Sequence, residues 1–166
     1  VALWIYRDAI RGQLAKIGAE PWLVGLAVGA LWIVTEPAVE TSTLGAWLDA
    51  QHPAAAATWL ALRIFGFALI VPIVEELAFR GYLHRALISR RFETVAPGAF
   101  GLAAFIVTSV LFGALHGRWL AGALAGAAFA ITLYRSKTLS GPIAAHVAAN
   151  GIIAVYAVMM ERWELL

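Results

Sequence analysis

Glu75 and Glu76 stand side by side in Val71-Pro72-Ile73-Val74-Glu75-Glu76-Leu77-Ala78-Phe79-Arg80-Gly81-Tyr82-Leu83, with apolar sequence before and after. Ionised groups in such surroundings are costly unless they are paired or face water. Glu76 and Arg80 are four apart, so on a helix they share a face and can pair. Glu75 points away from that pair and has no charge partner of its own nearby in sequence. A carboxylate held in a low-dielectric pocket gains proton affinity, which suits a general base.

Further along, His116 closes Phe112-Gly113-Ala114-Leu115-His116, and His146 and Asn150 lie four apart in His146-Val147-Ala148-Ala149-Asn150. Ala144, Ala145, Ala148 and Ala149 surround the latter pair and let neighbouring helices approach. If these groups meet in one cavity, a carboxylate can activate water while imidazole and amide donate to a developing oxyanion. That set is enough to hydrolyse an amide without a serine or cysteine nucleophile. Each group also has a structural reading. Glu76 with Arg80 fits a pair that holds a fold, His116 fits an interfacial side chain, and His146 with Asn150 fits a bond between helices. Phe112 reads as packing, and His52 and His84 read as solvated surface groups. Arg63 either snorkels to the interface or pairs internally.

The elements that must position these groups read as membrane helices. Of 166 residues, 62% are hydrophobic and 13% charged, and the mean hydropathy is +0.82. A soluble domain is nearer half apolar and a quarter charged, so an integral membrane protein is expected. The net charge of +2 is small, and the basic residues fall in separate groups, which argues against nucleic acid as a partner. No cysteine is present, so thiolate chemistry and cysteine-bound zinc are excluded. The chain opens on Val rather than Met, as a segment of a longer protein would, and no cleavable signal peptide is evident.

The pattern predicts an all-α polytopic bundle of about five spans with an N-terminal amphipathic helix over residues 1–20. The spans are expected at about 22–34, from 54 through the Glu75 motif, at 99–116, from 117 to 134, and at 139–160. Residues 36–53 read as a loop with a short turn around Trp47. Gly25/Gly29, Gly113/Gly117 and Gly122/Gly126 have the spacing of close helix contacts. Arg7, Arg11, Lys16, Arg85, Arg90, Arg91, Arg135 and Lys137 fall on one side, against Arg118 and Arg162 on the other. This bias predicts a cytoplasmic N-terminus and an external C-terminus, with Trp47, Trp59, Trp119 and Trp163 near the outer interface.

Glu75-Glu76-x-x-x-Arg80, Phe112-x-x-x-His116 and His146-x-x-x-Asn150, in that order on successive helices, resemble the CPBP family of intramembrane proteases, which includes the type II CAAX prenyl endopeptidases. The resemblance covers residues 55–160 of a single membrane-embedded domain, 1–166. The surrounding sequence is also similar to the bacterial subgroup associated with exosortase systems. The resemblance implies a glutamate-dependent protease with catalytic residues Glu75, Glu76, Arg80, His116, His146 and Asn150. Glu75 would activate water with help from His116. His146 and Asn150 would bind the substrate carbonyl or oxyanion, and Arg80 would hold Glu76. The implied partners are membrane lipid and a membrane-anchored or lipidated peptide, and the implied location is a bacterial inner membrane. No cofactor is expected. A zinc-dependent form, with Glu75, His116 and His146 as ligands, stays open as an alternative. So does a non-catalytic scaffold or proton-relay protein, although no inverted repeat is visible.

Overall fold

Punctuation in the sequence sets the helix ends. The computed structural model describes residues 17–37 and 42–166, and all its regular elements there are helical. The expected amphipathic helix over 1–20 lies almost wholly outside the described residues. Helix α1 is Ala19–Val34, α2 is Thr43–Asp49 and α3 is a continuous run, Pro53–Ile88. Then come α4, Leu102–Ala114; α5, Trp119–Ser136; and α6, Ser140–Met159. Pro53 opens α3, where its missing N–H costs nothing, and the His52 ring accepts from the Ala54 N–H. Lys137 ends α5 in the left-handed region, φ 57°, and its N–H bonds the Leu133 carbonyl. Residues 36–53 are not all loop: Ser42 caps α2 by accepting from the Gly45 N–H.

Two helices, α3 and α6, are long and apolar enough to cross a bilayer; α1 and α4 are shorter apolar helices. The burial pattern is that of a protein in lipid. Leu62, Val74, Ile106 and Val155 stand exposed, while Glu76, Arg80, His84, Thr108 and His146 are buried. Polar groups turned inward and apolar groups outward minimise unpaired charge in hydrocarbon.

The contacts give the directions. Gly25 lies against Ala145, and Gly29 against Ala149 and Ile152, so α1 and α6 run parallel. A Cβ at either glycine would collide with the backbone of α6, which is why this pair needs no side chain. Gly113 meets Trp119 and Ala123, making α4 and α5 an antiparallel hairpin; of the paired glycines, Gly117 touches nothing. Arg80 bonds the Gly126 carbonyl and His84 faces Tyr134, so α3 and α5 are parallel. Asn150 reaches Phe67 while His146 reaches Glu76, so α6 opposes α3. Successive long helices therefore alternate in direction. One end of the bundle gathers Trp47, Trp59 and Trp163: the first two rings are 5.1 Å apart, and Trp163 packs over Gly45.

Two further readings are settled. His84 is buried, not solvated, with Nε2 3.1 Å from the Ala99 carbonyl. Arg63 pairs internally and donates to the Leu166 carbonyl.

Candidate active site

Helix α3 is not uniform. It widens to π-helix at Gly66–Ile70, returns to α over Val71–Glu76, and widens again at Leu77–Leu83. The first widening follows from Pro72. The Val71 N–H bonds the Gly66 carbonyl, five residues back. The next donor in that register is residue 72, and proline has no N–H. The Phe67 carbonyl is thereby released, and Asn150 Nδ2 donates to it at 2.8 Å. An amide on α6 thus repairs a gap opened in α3, and its second Nδ2 hydrogen stays available. Such widened turns are frequent at functional sites.

Beyond this turn the two carboxylates part. Glu76 is fully buried. Its Oε1 accepts from Arg80 Nη1 at 3.0 Å and from His146 Nδ1 at 3.1 Å. Arg80, also buried, donates Nη2 to the Gly126 carbonyl at 2.6 Å and lies 4.7 Å over the Phe112 ring. Phe112 is core, as its type suggests: it is 1% exposed and packs edge-on against Phe79 and Phe129. Glu75 differs in every respect. Its side chain is 25% exposed, and Oε2 has no hydrogen-bond partner among the described residues. The nearest titratable nitrogen, His146 Nε2, is 3.9 Å away.

His146 stacks on Phe129, with centroids 4.6 Å apart and planes 21° from parallel. Its Nδ1 faces a carboxylate that can only accept, so that nitrogen carries the proton and Nε2 is left toward Glu75. His116 follows the same logic. Its Nδ1 lies 2.7 Å from the Phe112 carbonyl, so Nδ1–H donates to it.

Glu75, His116, His146 and Asn150 line one cavity of about 300 Å³. Glu76 and Arg80 stand behind its wall and hold His146. His146 sits 13 residues from the end of α6, about 20 Å of helix rise, while His116 lies just past α4. A deep cavity rather than a level ring of side chains brings them together.

Sequence reasoning missed part of the lining. Glu36, Arg118 and Glu164 border the cavity at the tryptophan-rich end. Arg118 pairs with Glu36, donates to Thr35 Oγ1 and to the Trp32 carbonyl, and lies 4.6 Å over the Trp32 ring. Glu164 is bonded by Arg162. Burial pushes its carboxyl up, but the Arg162 bond and charge outweigh this and hold it below the usual range. The spacing of Glu36 and Arg118 carries no signal of their pairing; only the packing of α1 reveals it. No three histidine, aspartate or glutamate side chains among the described residues are grouped so as to hold a metal ion. The Nδ1 atoms of both cavity histidines are already engaged.

The type II CAAX prenyl endopeptidase Rce1-like family model matches residues 57–152. The chain belongs to this family. The matched segment runs from the first turns of α3 through Asn150 and so contains all six polar residues singled out above. Family membership makes the chain an intramembrane endopeptidase of the CAAX type, integral to a membrane and acting on a membrane-associated protein or peptide. No curated protein matches, and no solved structure matches.

Proposed function

We propose that the chain cleaves a peptide bond of a membrane-anchored substrate with a water molecule activated by Glu75. The observation that carries this reading is the contrast within the carboxylate pair. Glu76 is committed to Arg80 and His146, whereas Glu75 Oε2 has no hydrogen-bond partner among the described residues and Glu75 lines the shared cavity. His116 Nε2 assists by accepting a proton. His146 and the free Asn150 hydrogen bind the oxyanion that forms as water adds to the carbonyl. Glu76 and Arg80 are positioning residues, because they act through His146.

The reading is metal-free. The five long helices, with alternating directions, form five spans of one domain over 1–166. The N-terminus is cytoplasmic, and the setting is a bacterial inner membrane.

Glu75→Gln keeps the shape and removes the base. General-base loss lowers kcat by about 100-fold or more, with an unchanged melting temperature in detergent. The test uses a quenched fluorescent peptide anchored in proteoliposomes. Full cleavage by Glu75→Gln would overturn the reading. Loss of activity on chelation, restored by zinc, would replace it with the zinc-dependent form.

A further inference from the structure

Of the six polar site residues, only His116 lies outside a helix. Helix α4 ends at Ala114 and α5 begins at Trp119, so His116 stands in the short turn between them. Gly117 follows it, with nothing within 4 Å of where a Cβ would stand, and glycine leaves a turn its widest freedom. The imidazole is nevertheless closely held. A Cβ on Gly122 of α5 would stand 3.1 Å from the His116 Cβ and 3.2 Å from its Cγ, so the base of the ring sits directly on that glycine. The Phe112 ring lies 4.8 Å away, 32° from parallel. Trp32 of α1 meets the imidazole edge to face, with centroids 5.8 Å apart and planes at 70°.

Trp32 is itself held from the same turn. The Arg118 guanidinium lies 4.6 Å over its ring. It also donates to three acceptors at the end of α1: the Trp32 carbonyl at 3.0 Å, Thr35 Oγ1 and the Glu36 carboxylate. The last carbonyls of a helix lack intrahelical partners and carry its partial negative charge. Helix α1 has no basic residue in its last turn, so the cation comes from 86 residues away. A planar guanidinium can serve several acceptors and lie on an indole at once, which an ammonium cannot. The indole therefore touches both His116 and Arg118, two residues of one turn. We propose that Trp32 and Arg118 are positioning residues for His116, a strap from α1 that fixes the imidazole at the wall of the active-site cavity. The proposal rests on the assisting role of His116 proposed above. Trp32 and Glu36 lie outside the matched segment 57–152, so the family match does not carry the strap.

The test measures kcat and KM for the quenched, membrane-anchored peptide in proteoliposomes of the full chain. Each variant is first passed through size exclusion as a single species, so that an unfolded fraction does not count as a slow one. Trp32→Leu removes the ring contact. Arg118→Lys keeps a positive charge at the cavity rim and loses the fork. Each should lower kcat by about tenfold to 100-fold, the upper figure being that of a catalytic group misplaced by about 1 Å. KM should change little, since no substrate contact is lost. In a His116→Ala background neither substitution should lower kcat further, because residues that act as one unit are not additive. A tie that only caps α1 would act in both backgrounds alike. Full turnover by either variant, a raised KM at unchanged kcat, or the same fall in kcat without His116 overturns the strap. Full turnover by His116→Ala instead overturns the assisting role on which the strap rests, so the two failures are told apart.

Discussion

At the residue scale, the neighbours Glu75 and Glu76 share a residue type and differ in surroundings. Glu76 sits between Arg80 and His146 at 0% exposure. Removing it strands a guanidinium in the interior, and breaking a buried pair from one side costs about 3–5 kcal/mol. Glu76→Ala should therefore lower the melting temperature in detergent sharply, whereas Glu75→Gln should not. Asn150→Leu orphans the Phe67 carbonyl, at about 1–3 kcal/mol. It also removes the proposed oxyanion donor, worth about 100-fold to 1,000-fold in kcat. Thermal denaturation and turnover of the same sample separate the two effects. The six polar residues were legible because charge and amide groups are conspicuous in apolar helices. The burial of His84 was not. It depends on Ala99 and Tyr134, which approach from other parts of the chain. Arg118 was likewise illegible, since its partners Trp32, Thr35 and Glu36 lie more than 80 residues away.

At the element scale, the helices themselves were legible from apolar runs and their Pro and Gly boundaries, to within a few residues. The π-helical turns in α3 were not, because hydropathy averages over them. The residue responsible was in view: Pro72 sits inside an apolar helix and frees a carbonyl for Asn150. Pro72→Ala restores an N–H that competes for Phe67. Alanine is favoured over proline in a helix interior by about 3 kcal/mol, so the variant should melt no lower than the parent. Its kcat should fall as the Asn150 amide loses its anchor, by less than the about 100-fold of a donor removed outright. A variant that melts lower at full activity would sink this account of the widened turn. The Gly25/Gly29 spacing was legible as a contact, and its partner, the backbone of α6, was not. Gly29→Leu overpacks that contact, at about 1–3 kcal/mol. The expected outcome is a lower melting temperature in detergent.

At the scale of the whole molecule, the helices are unequal in length. Helix α3, at 36 residues, is about 54 Å long. Helix α4, at 13 residues, is only about 20 Å long. A bilayer core is about 30 Å thick. If both cross the bilayer, as proposed, the long helix must tilt or project, and lipid beside the short one must thin. Turnover in proteoliposomes should therefore be higher in lipids with shorter acyl chains than in longer ones at equal protein incorporation. A flat response would show that α4 is shielded from lipid. With α4 as a span, as proposed, the short wall ends just before His116, and the headgroup layer dips where the polar cavity begins. On that reading a tethered peptide meets the proposed catalytic groups at a shallow depression in the membrane and is spared a passage to its dry centre.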